Sequence, residues 1–88
     1  MTVSDLVNLM MDSRNASQQK IADRISVTKQ AVQQRIVRDT WKVYDVAAIA
    51  EMLDYGFQIT ITDNKTGQKV CADILPPESN KLTYKRET

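Results

Sequence analysis

The sequence predicts a mainly α protein, four short helices followed by a C-terminal β-hairpin, and three observations carry that prediction. As far as residue 54, apolar residues recur three and four positions apart, the period of one helix face. After Gly56 the period drops to two, which is the period of a half-buried strand. The helical segments are separated by short breaks, and Thr2, Ser17 and Thr28 stand just ahead of the first three as N-caps.

Thr2 and Asp5 form a capping-box pattern, and Val3, Leu6, Val7 and Met10 follow at i, i+3, i+4 and i+7. A first helix is therefore expected over 3–13, with Met10 and Met11 in or beside the core. "SRNAS" interrupts it. Ser17 caps a second helix over 18–25, which turns Ile21, Ala22 and Ile25 inward and leaves Gln18, Gln19, Lys20 and Arg24 outside. Ser26 and Val27 make a minimal connection, and Thr28 caps the third helix.

With Val32 pointing inward and about 100° of turn per residue, Ile36 lies about 40° away, whereas Gln30, Gln33, Gln34 and Val37 fall between about 100° and 200°. The amides thus share the outer face. Lys29 sits between the faces in the first turn, with a stem long enough to reach outward. "RDTWKV" is read as a loop in which Trp41 packs over the junction of the third and fourth helices and its indole N–H finds a partner at the surface. Val46, Ala47, Ile49, Ala50 and Leu53 predict the fourth helix, over 44–54, with Gly56 as its stop signal.

Phe57, Ile59 and Ile61 then alternate with polar residues, "DNKTG" supplies turn chemistry, and Val70, Ala72 and Ile74 alternate again before "LPP". A two-stranded hairpin is marginal alone in water, so its apolar face needs a cover, which either the helices or a second copy of the chain would provide. Cys71 falls on the opposite face and is read as an incidental small residue. The expected organisation is a helical domain over 1–56, a hairpin over 57–75 and a flexible polar tail over 76–88.

Composition narrows the function. The 88 residues contain no histidine, one cysteine and two glycines. The commonest general base and metal ligand is missing, and no phosphate-cradling glycine loop is present. No enzymatic activity, no cofactor and no metal site are expected. No apolar run approaches the ~20 residues of a membrane span, the N-terminus lacks the pattern of a secretory signal, and one cysteine cannot build a disulfide framework, so no membrane association and a cytoplasmic location are expected. Net charge is only +1, yet residues 14–42 hold seven basic side chains against two acidic ones, about +5 in that segment. Such a stripe in a near-neutral chain points to a polyanionic partner met by one face.

The stretch "QQKIADRISVTKQAVQQRI" resembles the helix-turn-helix of the phage-repressor family (Cro/cI, or XRE type). Gln18, Ile21, Ala22, Ile25, Val27, Thr28 and Val32 match its pattern in order and spacing, and the segment through "RDTWKVYDVAAIAEMLDYGFQITITDNKTGQ" looks like the fourth helix and hairpin of small members. The resemblance covers residues 3–74. Ser26 departs from the family's usual Gly, and Tyr44 from its usual Ser or Thr cap.

The resemblance implies a lambda-repressor-like helix-turn-helix domain that binds double-stranded DNA, the third helix in the major groove and the start of the second against the backbone. Carried onto this chain, it assigns Lys29, Gln30, Gln33 and Gln34 to base reading, since Gln pairs with adenine N6 and N7 and Lys donates to guanine O6 and N7. Val37, on the same face, is within the range of roles that includes touching a thymine methyl and closing the helix. Phosphate contacts fall to Gln18, Gln19 and Thr28 at helix N-termini and to Arg14, Lys20, Arg38 and Lys42. The implied activity is that of a transcriptional regulator, a phage or mobile-element repressor, acting as a homodimer on an operator. The hairpin face of Phe57, Ile59, Ile61, Val70, Ala72 and Ile74 is the expected dimerisation element. The competing expectation is the same scaffold used as a protein-interaction module, anti-repressor or antitoxin-like.

Overall fold

A computed structural model of the chain describes residues 1–77 and, as backbone, residues 83–87. In order the elements are α1 (Val3–Arg14), α2 (Gln18–Ile25), α3 (Lys29–Arg38), α4 (Val43–Met52), β1 (Gln58–Thr62), β2 (Lys69–Asp73) and β3 (Thr83–Glu87).

The caps expected from the sequence form. The Thr2 hydroxyl accepts from the Asp5 N–H while the Asp5 carboxylate accepts from the Thr2 N–H, a complete capping box. Ser17 and Thr28 each accept from the backbone N–H three residues on, at 3.1 Å. The first turn of α4 differs from expectation. The helix begins at Val43, so the cap position falls on Lys42, which makes no side-chain cap bond, and Tyr44 is already inside the helix.

All four helices end the same way. A residue in the left-handed region follows the last turn, and the next N–H reaches back five residues: Ala16 to Met11, Val27 to Ala22, Thr40 to Arg35 and Tyr55 to Ala50. The left-handed residues are Asn15, Ser26, Asp39 and Asp54, with φ of 54°, 58°, 55° and 62°. None is glycine. Asn, Asp and Ser tolerate this conformation better than bulkier residues do, since their short polar side chains hydrogen-bond locally. Gly56 therefore does not stop α4; Asp54 turns the chain two residues earlier. Ser26 takes the geometry that the usual glycine would take.

The core joins Val7 and Met11 of α1, Ile21 and Ala22 of α2, Val32 of α3, and Ile49 with Leu53 at the end of α4. α4 is buried along five consecutive residues, Val46 to Ala50, more than one full turn, while Val43, Tyr44 and Glu51 stay exposed. On α1 the inward row is Ser4, Val7 and Met11, with Val3 and Leu6 exposed and Met10 half-buried. The expected row of Val3, Leu6, Val7 and Met10 is thus turned aside by the burial of Ser4.

That serine is 6 % exposed and fully bonded. Its N–H and its hydroxyl both lie 2.9 Å from the Asp39 carboxylate, and the hydroxyl accepts from the Trp41 indole N–H at 2.9 Å. Trp41 therefore finds its partner in the buried first turn of α1 and not at the surface. Arg35 pairs with Asp45, and Arg24 lies 3.8 Å from Glu51, tying α3 and α2 to α4.

β1 and β2 form the expected hairpin, with Ile59 opposite Ala72 and Ile61 opposite Val70. Gly67, at φ 79°, reverses the chain. The flexible tail expected over 76–88 differs in three places. Pro76 is fully buried, Pro77 lies in a shallow depression with Ile25, Tyr44 and Ala48, and residues 83–87 form β3, antiparallel to β2. The physical reason for β3 is the outer edge of β2, whose N–H and C=O groups would otherwise lack partners. The expectation for 78–82 and 88 lies outside the described residues. Among the described residues, no helix packs broadly on the sheet. Among the described residues, no helix is long and apolar enough to cross a membrane.

Candidate nucleic-acid interface

The face of α3 is built from its two anchors. Val32 is fully buried and Ile36 packs at the core margin, which fixes the rotation of the helix. One hundred degrees of turn per residue then carries Gln30, Gln33 and Gln34 outward. All three are exposed, as is Lys29, and the four side chains line one shallow concavity of about 350 Å³. None of the four makes a side-chain hydrogen bond or ion pair among the described residues. Their amide and ammonium donors and their amide acceptors are all open to an incoming group. Val37, 73 % exposed, extends the same face.

The residues assigned to phosphate contact divide into two groups. Lys20, Arg38 and Lys42 are exposed and without an ionic partner among the described residues. Arg14 is engaged elsewhere. Its Nε donates to the Leu53 carbonyl at 2.9 Å and its guanidinium stacks 4.4 Å from the centre of the Tyr55 ring, so it seals the C-terminus of α4. Gln19 is likewise occupied, donating to Asp23 at 2.8 Å, while Gln18 is half-buried. The Thr28 hydroxyl serves the first turn of α3, accepting from the Ala31 N–H. Ser17 accepts from the Lys20 N–H, which leaves the Gln18 and Gln19 N–H groups at the positive end of α2.

The charge of the 14–42 segment is therefore not all available. Arg14, Arg24 and Arg35 are turned toward α4, and Lys20, Lys29, Arg38 and Lys42 remain as the open cations of α2, α3 and the loop after α3. Sequence reasoning missed this sorting because the acceptors Asp45, Glu51 and Leu53 lie far along the chain. The sequence signal that bears on it is the pair of acidic residues Asp45 and Glu51 on the largely apolar fourth helix.

The hairpin residues assigned to dimerisation share one sheet face, as alternation required. The Ile74 N–H donates to the Phe57 carbonyl at 2.8 Å, extending the register by one pair beyond Gln58 and Asp73. Across the sheet's other face, Gln58 donates to Asp73 and Thr60 lies 3.2 Å from the Cys71 sulfur. Among the described residues, no three His, Cys, Asp or Glu side chains come together as a metal site. Comparison with known protein families, with curated proteins and with solved structures finds no match to this chain.

Proposed function

We propose that the protein is a sequence-specific double-stranded DNA-binding regulator, a phage or mobile-element repressor, that lays α3 in the major groove. The observation that carries this reading is the open concavity of Lys29, Gln30, Gln33 and Gln34, four hydrogen-bonding side chains on one helix face, none of them bonded within the chain among the described residues. A face meant only for solubility gains more from Glu–Lys pairs, which also support the helix. Glutamines held beside open cations suit base edges flanked by phosphates.

In this mechanism Lys20, Arg38 and Lys42 set register on the backbone, and the α3 amides read the bases. A homodimer presents two such helices to a two-fold operator. Occupancy then excludes polymerase from the promoter with no chemistry and no cofactor. The test is selection from random duplexes with the purified protein. The expected outcome is an enriched motif with two-fold symmetry, and Gln30→Ala or Gln34→Ala reducing the preference for it about 5- to 150-fold, which corresponds to about 1–3 kcal/mol per bidentate contact. Enrichment of no motif, or a preference that these substitutions leave intact, would overturn the reading.

A further inference from the structure

α3 presents six exposed side chains, Lys29, Gln30, Gln33, Gln34, Val37 and Arg38, and five of them are polar or charged. Val37 is the exception. At 73 % exposure it is also the most exposed large apolar side chain of the four helices. Its place is along the middle of the face. Counted from Val32 at about 100° per residue, Val37 falls at about 140°, between Gln33 at about 100° and Gln34 at about 200°.

Closing the helix does not account for this valine. The Asp39 and Thr40 N–H groups both donate to the Arg35 carbonyl, Asp39 turns the chain at φ 55°, and the Asp39 carboxylate is held by Ser4. Val37 lies outside the core and outside the half-buried residues packed against it. Nor does it favour the helix, since a β-branched side chain is a poorer helix former than the Lys, Gln and Arg that occupy the rest of the face. Arg35 and Asp39, on either side of it, are tied to α4 and α1, so the backbone that carries Val37 is held in place.

In the major groove, base edges carry hydrogen-bond donors and acceptors and a single kind of apolar group, the thymine C5-methyl. One valine set among amides and Arg38 is too small a patch for an apolar protein surface, and it matches one methyl. We infer that Val37 is a specificity-determining residue that packs on the C5-methyl of a thymine in each half-site. The inference rests on the proposed placing of α3 in the major groove, and it adds an apolar contact to the hydrogen bonds of the amides. Val37 lies three and four residues beyond Gln34 and Gln33, about 4.5–6 Å along the helix axis. The thymine therefore stands within about two base-pair steps, of about 3.4 Å each, of the pairs those glutamines face.

The test uses the full chain and the operator found by selection from random duplexes. Each thymine of the half-site is replaced singly by deoxyuridine, which keeps the pairing and the O4 acceptor and lacks only the methyl. The unsubstituted protein is expected to bind one of these duplexes about 4-fold more weakly, the factor for one buried methyl-sized group. Val37→Ala should bind the thymine duplex about 4-fold more weakly and bind it and that deoxyuridine duplex alike, whereas Val37→Ile should still tell them apart. Circular dichroism melts should show Tm unchanged in both variants, because the side chain is exposed. A half-site without thymine, a deoxyuridine series with no sensitive position, or a Val37→Ala protein that keeps the distinction would overturn the inference and leave the DNA reading in place. A selection that enriches no motif would overturn both.

Discussion

The sorting of the basic residues makes a quantitative prediction about salt. Each phosphate neutralised on duplex DNA contributes about −0.9 to the slope of log affinity against log salt. If all seven basic residues of the 14–42 segment met phosphate, the slope would be about −6.3 per protomer. With Arg14, Arg24 and Arg35 turned toward α4, the four open cations at about −0.9 each give at most about −3.6 per protomer. Between 50 and 200 mM salt that is a loss of about 150-fold per protomer engaged. Fluorescence anisotropy of a labelled operator across that range measures the slope. Arg38→Gln and Lys42→Gln should each flatten it by about 0.9 per protomer and leave thermal stability within about 0.5 kcal/mol, as expected for exposed surface positions. Arg14→Gln should do the reverse, lowering Tm through loss of the Leu53 and Tyr55 contacts while leaving the slope unchanged. If Arg14→Gln flattened the slope as much as Arg38→Gln, the division between structural and open cations would be wrong.

Three further outcomes follow from the local geometry. Ser26→Gly should stabilise the fold by about 0.5–1 kcal/mol, because relief of about 1–2 kcal/mol of left-handed strain outweighs the entropy that glycine adds to the unfolded chain; thermal melts of Ser26→Gly beside Ser26→Val, which should lose stability, check the sign. Ser4→Ala should cost about 1–3 kcal/mol in urea denaturation, since it strands the Trp41 indole N–H and removes one donor from Asp39. The Thr2 N–H, and then the Thr2 hydroxyl, hold the Asp5 carboxyl below its ordinary value, and the Lys65 N–H does the same for Asp63. Lowered folded values mean that this stabilisation is complete above about pH 4 and is lost as pH falls through the depressed values. Asp5→Asn should accordingly make the acid limb of a pH–stability curve shallower, and an unchanged limb would show that the capping box does not titrate with folding.

What the sequence made legible was set by short-range chemistry. The bounds of α2 followed from Ser17 and from the Ile21, Ala22, Ile25 spacing, and the outward set on α3 followed from Val32 and Ile36. What it concealed depended on partners distant in the chain. The rotation of α1 is fixed by Asp39 and Trp41, more than thirty residues from Ser4. The withdrawal of Arg14 depends on Leu53 and Tyr55, and β3 depends on an edge that exists only once the hairpin has formed. Gly56 misled for a different reason. A glycine in a sequence marks permission for positive φ, whereas Asp54, with a side chain that tolerates the conformation, was closer to the end of the helix and took the turn.

On the proposed reading, the same residues allow recognition and stability to be separated in so small a domain. A ten-residue helix has room for about three turns. In α3 the inward side is held by Val32, Ile36 and the Arg35 pair with Asp45, and its C-terminus is held by the Asp39 link to Ser4. Those contacts fix the rotation and the C-terminal end of the helix without using Lys29, Gln30, Gln33 or Gln34. Substitution at the outer four then changes what the helix can hydrogen-bond and leaves its position alone. Substitution at Ser4 or Asp39 works in the opposite sense, moving the helix while leaving its exposed chemistry intact. On the proposed reading α3 must hold its donors in a fixed position, and the bonds from Asp39 to Ser4, in the first turn of another helix, help to hold it there.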